Sequence, residues 1–409
     1  MSNHDHESRM IFDRLSGAGA SAARPAAASA EDPLKGARPT AATIDLAALA
    51  ANFAEAQRLA GARELLAVVK ADAYGHGAGA VARRLVAVGC RRLAVVTVDE
   101  AARLREAALA TPILLLGGVH DPAEADDAAA LHLTVAVHHP GHVRWLRRAA
   151  AERQIRIPVH VEVDTGMGRS GVSEGGAVEL LTQVSGEPGL HLEGVFTHFA
   201  RADEPDLGPT REQLERFGRV LEEAAGKGIR PPMVHVANSA GLLAGASLAG
   251  SLPAVVSGAR PGLLLYGARP ADHLRAELRP VMTLRTRVAQ VRRVERGDPV
   301  GYGSTWRARD PGWVATLPIG YADGVPWSAS NRGAVWLRGR RAPVAGRISM
   351  DFVTVDAGPG PVEIGDEAIL FGAGPAGTPS VEEAAAAAGT LPWELLVRVG
   401  ARVPRVVVG

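Results

Sequence analysis

Leu65-Leu66-Ala67-Val68-Val69-Lys70-Ala71-Asp72-Ala73-Tyr74-Gly75-His76-Gly77 passes from an apolar run, through a lysine, into a polar Gly-rich turn. The run reads as a buried strand, with Lys70 at its end. Among the 45 Lys and Arg residues, lysine occurs only at Lys35, Lys70 and Lys227. A lysine amine can deprotonate or form an imine, whereas a guanidinium can do neither. Lys70 is therefore a candidate for amine chemistry. It reads equally as a side chain snorkelling at a strand end, and this stretch alone leaves both readings open.

Outward from this strand a rhythm continues. Apolar runs recur at Leu93–Thr97, Ile113–Leu116, Leu133–Val137, Ile157–Val163, Leu190–Phe196, Met233–Val236 and Val255–Val256, the last leading to Arg260. Amphipathic helical patterns lie between most of them, such as Val98–Ala108, Ala177–Val184 and Arg211–Ala225. A short strand from Ala41 and a helix over Leu46–Leu59 come before. Eight strands alternating with helices predict parallel βα units closed into a (β/α)8 barrel. An open doubly wound sheet is the rival; no Gly-rich dinucleotide fingerprint follows the first strand. Beyond about Pro280 the pattern changes to alternating segments, Met282–Val294, Trp313–Leu317, Ala334–Leu337 and Phe352–Val355, divided by Gly and Asp turns. A late helix (Ser380–Ala388) and a final strand (Val403–Val408) complete a smaller, mainly β-strand domain. The expected organisation is a disordered extension over 1–40, a barrel over 41–280 and a β domain over 281–409, with order starting at about Ala42.

Composition narrows the function classes. Across 409 residues the net charge is +1, which gives no bulk attraction to nucleic acid or an anionic membrane. Cys90 is the single cysteine, so no intrachain disulfide can form, and a reducing, cytoplasmic setting fits. No apolar run approaches the roughly 20 residues of a membrane helix.

On a barrel, chemistry gathers at the C-terminal ends of the strands. The predicted strands deliver a telling set there: Lys70; Asp164-Thr165-Gly166-Met167-Gly168-Arg169; Thr197-His198-Phe199; Asn238-Ser239; and Arg260-Pro261-Gly262. Singly, each has an ordinary reading: a satisfied barrel histidine, a surface ion pair, a plain turn. Together they suit an aromatic aldehyde cofactor. It needs an amine, hydroxyls and backbone N–H groups for a phosphate, a flat partner for its ring, and a group to tune its pyridine nitrogen. No metal site is expected.

Ala67-Val68-Val69-Lys70-Ala71-Asp72-Ala73-Tyr74-Gly75-His76-Gly77 closely resembles the pyridoxal-phosphate attachment motif of the alanine racemases, fold-type III enzymes. The blocks Asp164–Arg169, Thr197–Ala200, Asn238-Ser239, Arg260–Gly262, Gly301–Thr305, Gly320–Gly324 and Gly346–Asp351 resemble that family's, in its order. The resemblance spans about residues 41–409. It implies an isomerase that interconverts L- and D-alanine with pyridoxal 5'-phosphate by two-base proton transfer, supplying D-alanine for peptidoglycan. It also implies a homodimer with shared active sites. Lys70 would carry the cofactor and act as one base. Tyr302, from a second subunit, would be the other. Tyr74, Ser239 and the backbone of Gly262 and Leu263 would hold the phosphate. His198 would pack by the ring, and Arg260 would face its nitrogen. Arg169 and the Met350 backbone would take the substrate carboxylate. Asn238 would support the site; Tyr321 and Asp351 would line the entrance.

Three positions depart from the family. Many members carry a carbamylated lysine seven residues before the arginine of the Asp-Thr-Gly-Met block. Here Glu162 stands there, an anion expected to orient Arg169 in its place. Ala401 replaces a frequent tyrosine. Trp327 stands where some members have an arginine, with Arg332 near in sequence. Rival functions are a non-catalytic barrel that binds the cofactor, a decarboxylase, and a racemase accepting serine. The Tyr302 and Met350 blocks oppose the first, and Arg260 opposes the second.

Overall fold

The computed structural model describes Leu34 and residues 38–409. Most of the extension expected over 1–40 lies outside the described residues. Strand β1 (Thr40–Asp45) begins slightly earlier than expected. It is followed by a helix over Leu46–Ala60, capped by Asp45, whose Oδ1 accepts from Ala48 N.

The barrel is built from β2 (Glu64–Val68), β3 (Arg92–Val95), β4 (Ile113–Leu115), β5 (Thr134–Val137), β6 (Ile157–Asp164), β8 (Leu190–Phe196), β9 (Met233–Ala237) and β10 (Gly258–Ala259). A two-residue β7 (Val172–Ser173) pairs beside the end of β6. The order β5-β4-β3-β2-β10-β9-β8-β6 closes through β5 pairing β6, with every ladder parallel. The sheet is covered by helices outside and filled inside, so its strands are largely apolar on both faces, and Leu66, Ala67, Leu93, Ala94 and Val135 are fully buried. This is the expected (β/α)8 barrel. One strand moves: Val255 is 58% exposed, and the eighth strand is Gly258–Ala259. Small residues are required there, because a Cβ on Gly258 would meet His235 Cβ at 3.0 Å.

The C-terminal part is mainly β, as expected. β11 (Met282–Arg287) lies in a six-stranded sheet, and the continuation Gln290–Val294 turns into a separate three-stranded one. The six-stranded sheet also takes in β1, the strand that precedes the eight of the barrel. This strand sits between β11, antiparallel, and Arg405–Val408, parallel. Ala41, Ala42 and Ile44 are buried there, so this strand needs neighbours on both sides. β1 and Arg405–Val408, far apart in sequence, thus run side by side in one sheet. A helix over Pro392–Arg398, not anticipated from the sequence, packs against the segment after Lys70.

Candidate active site

Lys70 emerges just past β2, and the chain then does something rare. Ala71, Asp72, Ala73 and Tyr74 all hold left-handed conformations, with φ between 51° and 55°. Each such L-residue costs about 1–2 kcal/mol. Surrounding contacts hold the turn. Glu100 accepts from Ala71 N at 2.6 Å and from Val96 N at 2.8 Å, tying the turn to the end of β3. Asp72 Oδ1 accepts from Ala78 N at 2.7 Å. Gly75 is pressed so closely that a Cβ would lie 2.6 Å from Leu396 O. The turn delivers Tyr74 inward, where its ring stacks on Tyr266 at 4.7 Å; Tyr266 Oη donates to Val68 O at 2.9 Å.

Lys70, Tyr74, Glu162, Arg169, His198, Asn238, Ser239, Arg260, Gly262 and Leu263 all line one cavity of about 720 Å³ at the C-terminal mouth of the barrel. That volume suits a small cofactor and its substrate. Burial lowers the Lys70 amine from its ordinary range; nearby Arg169 lowers it further, against a smaller opposing pull from Glu100.

Arg260 is almost completely buried, and its charge is satisfied without a bonded carboxylate. Nη2 donates to Thr197 O at 2.7 Å and Val236 O at 3.2 Å, and Nη1 donates to His235 O at 3.0 Å. Nη1 also lies 2.6 Å from His235 Nδ1, and Nη2 lies 3.2 Å from His198 Nδ1. Burial pulls the guanidinium down to about 10, still protonated at neutral pH. Burial, with the charges of Arg260, Arg169 and Lys70, pushes His198 down to about 3, so its ring is neutral.

Past the ends of the adjacent strands β9 and β10, Ser239 Oγ accepts from Gly262 N at 3.0 Å and Leu264 N at 3.2 Å. Asn238 caps the short helix Ser239–Leu243, accepting from Gly241 N at 2.9 Å. A Cβ on Gly262 would fall 2.3 Å from Tyr74 Oη, so only glycine leaves this corner open.

Arg169 sits on an exposed loop shaped by Asp164, whose Oδ1 accepts from Gly166 N and Met167 N at 2.9 and 2.8 Å. Glu162 differs from expectation. It is buried, and its ion-pair partner is His138, with Nε2 3.0 Å from Oε2 but outside hydrogen-bond alignment. β6 aims Glu162 across the cavity wall towards β5, whereas Arg169 leaves on the following loop.

The C-terminal candidates stand elsewhere. Tyr302 is 72% exposed and Met350 52%, and neither they nor Tyr321 and Asp351 line this cavity. Tyr321 N donates to Ser349 O and Ala322 N to Met350 O, both at 3.0 Å, so these two loops are zipped together. Asp351 accepts from Arg402 at 2.7 Å.

Sequence reading passed over His160, His235, Tyr266, Glu100 and Trp393. The histidines carried a usable signal: each interrupts an apolar strand, where a buried ring must find partners.

Family models describing the alanine racemase N-terminal and C-terminal domains match residues 44–270 and 281–407. The chain belongs to the alanine racemase family. It is 40% identical to the alanine racemase of Sorangium cellulosum over 90% of this chain and 98% of that one. It is 42% identical to that of Syntrophobacter fumaroxidans, covering 87% and 94%. Among solved structures, the alanine racemase from Streptomyces coelicolor superposes with a TM-score of 0.85, at 37% identity, covering 91% and 98%. That of Bacillus anthracis, solved with bound L-Ala-P, gives 0.81 at 32% identity, covering 91% and 95%. As a family member the chain is an isomerase that inverts an amino acid at Cα. No helix among the described residues is long and apolar enough to cross a membrane.

Proposed function

We propose that this chain racemises alanine with pyridoxal 5'-phosphate held in the barrel cavity, completed by a second copy of the chain. The residues fit that cofactor. Lys70 offers a desolvated amine, His198 a neutral flat ring, and Arg260 a permanent donor for the pyridine nitrogen. Tyr74, Ser239 and the backbone of Gly262 and Leu263 form a polar corner kept open by a glycine, suited to a phosphate. When bound, the cofactor supplies the electron sink that acidifies the substrate Cα–H.

The chain's own groups do the rest. Arg169 binds the substrate carboxylate with the Met350 backbone of the second copy. Lys70 Nζ takes or returns the proton on one face of Cα, and Tyr302 Oη of the second copy serves the other. Two bases on opposite faces invert the centre without turning the substrate. Such acid–base assistance contributes about 10²–10⁴-fold. Tyr321 and Asp351 stand at the entrance, and Asn238 holds the Ser239 turn. Glu162, paired with His138, supplies a fixed anion among the cavity's cations.

The observation that carries this reading is the contrast between Lys70, gathered with Arg260 inside one cavity, and Tyr302, 72% exposed on the other part of the chain. An exposed tyrosine with a catalytic duty needs another subunit. Mixing Lys70→Ala and Tyr302→Phe chains tests this. Each is inactive alone, and the mixed dimer regains activity because one site carries both lesions and the other none. No recovery, with dimers formed, overturns the shared site. L-to-D conversion measured across several amino acids, serine included, tests the substrate.

A further inference from the structure

Behind Arg260 the barrel interior holds a continuous polar line. His235 Nδ1 lies 2.6 Å from Arg260 Nη1. His235 Nε2 lies 2.7 Å from His160 Nδ1. His160 Nε2 lies 3.2 Å from Glu193 Oε2. Glu193 also accepts from Arg92 Nη1 at 2.8 Å and from Thr134 Oγ1 at 3.2 Å, and Arg92 Nε reaches Glu64 at 3.0 Å. Glu64, Arg92 and Thr134 are the first residues of β2, β3 and β5. The line therefore runs from the cofactor mouth of the barrel to the opposite mouth.

The site is built for these rings. His160 and His235 are fully buried. A Cβ on Gly194 would fall 2.6 Å from His160 Nδ1, so the ring lies where only glycine permits it. His235 is stacked on Phe196 at 4.7 Å, and the Arg260 guanidinium lies over the same phenyl ring at 4.8 Å.

The chemistry of each atom fixes the direction. A guanidinium can only donate, so His235 Nδ1 accepts. Neutral His235 then carries its proton on Nε2 and donates to His160 Nδ1. His160 carries its proton on Nε2 and donates to the Glu193 carboxylate. Burial holds both rings neutral, and the bonds from His160 and Arg92 hold Glu193 ionised. Every dipole in the line then points the same way, and each bond polarises the next.

We infer that His235, His160 and Glu193 form a one-way hydrogen-bond relay through the barrel that orients and electrostatically tunes Arg260, making them positioning residues for the reaction. This rests on the proposed placement of Arg260 at the pyridine nitrogen. Arg260 has no bonded carboxylate: Glu162 acts on it through space, and Glu193 reaches it only through the two imidazoles. Without that anion, His160 can adopt either tautomer, and one of them sets N–H against N–H at the 2.7 Å contact.

The test uses the loaded enzyme carrying Glu193→Gln, with Arg260→Glu and Arg92→Met beside it. The readouts are the visible absorption of the bound cofactor and the ratio of racemisation to transamination. Arg260→Glu raises the transaminating fraction. Glu193→Gln moves absorption and ratio in the same direction, by up to about tenfold, the scale of one hydrogen bond. Arg92→Met, which removes one of the two groups holding Glu193 ionised, moves both readouts in the same direction by less than Glu193→Gln does. If Arg260→Glu acts and Glu193→Gln does not, the relay is overturned while the cofactor reading stands. If Arg260→Glu has no effect, the placement of Arg260 fails and the relay with it. Nitrogen-15 spectra of the wild-type histidines provide a test independent of mutant folding. Both rings protonated at Nε2 support the relay; an Nδ1 proton on either overturns it.

Discussion

Arg405 Nε donates a 3.0 Å hydrogen bond to the carbonyl oxygen of Gly75, joining the last strand to the turn that follows Lys70. The same guanidinium donates to Gly400 O at 2.6 Å, to Val403 O at 2.7 Å and to Val399 O. One side chain thus binds the chain's end to the left-handed residues 71–74, whose conformation does not persist without outside support.

Arg405→Met is expected to leave four carbonyl oxygens without this donor and to destabilise the protein by at least about 2 kcal/mol. It also frees the turn, so cofactor retention falls with it. Thermal melting with and without added pyridoxal phosphate checks both. A variant that melts like wild type and keeps its cofactor excludes this role for Arg405.

Gly262→Ala places a methyl group 2.3 Å from Tyr74 Oη, and the Tyr74 ring is held by Tyr266. Tyr74 must move out of the phosphate corner. The expected cost is about 1–3 kcal/mol, with a larger proportional loss of cofactor occupancy, measured by absorbance after dialysis.

Acid sensitivity follows from the buried histidines. His76 is fully buried, and desolvation pushes it down to about 4, against an ordinary value near 6.5; its bonds to Tyr74 O and Ala73 O oppose this. Between those values the unfolded chain binds a proton that the folded chain refuses. Stability is therefore full above about pH 6.5 and falls as the pH drops towards 4. His76→Asn should flatten that slope by about one proton in denaturant titrations run from pH 7 to 4.

Asp323 is fully buried and is held by Arg38 through a bidentate pair at 2.6 and 2.5 Å, with Arg402 at 3.4 Å and Gly320 N at 2.9 Å. Arg38→Ala leaves a buried carboxylate short of its main partner, at a cost of about 3–5 kcal/mol. The loss loosens the Gly320–Asp323 turn that is zipped to Met350. The Michaelis constant for substrate should rise more than kcat falls, as steady-state kinetics would record.

Glu162 bears on carbon dioxide. A built-in carboxylate needs no carbamylation, so activity should not respond to added bicarbonate. Glu162→Gln should lower activity, and bicarbonate should not restore it. A bicarbonate response in the wild-type protein would contradict this role.

Much of the molecule was legible in its residues. Apolar periodicity is a local property, so seven of the eight barrel strands and the main helices fall where the sequence places them. The lysine, glycine turns and polar residues at strand ends are also local, and a parallel barrel brings strand ends together whatever lies between. These two facts together determined that Lys70, Arg169, His198, Ser239 and Arg260 share one mouth. Only the tertiary structure decided the rest. β1 joins the far sheet because its pairing with Met282–Arg287 spans some 240 positions of sequence and leaves no local mark. The left-handed turn exists because Glu100, Leu396 and Arg405 confine it; residues 71–74 contain no glycine to announce it. His160 on β6 and His235 on β9 find each other across the intervening β8, and Glu162 finds His138 rather than Arg169, because side-chain direction is set by strand register. Local sequence specifies what each segment can be, and packing across the barrel determines which groups meet.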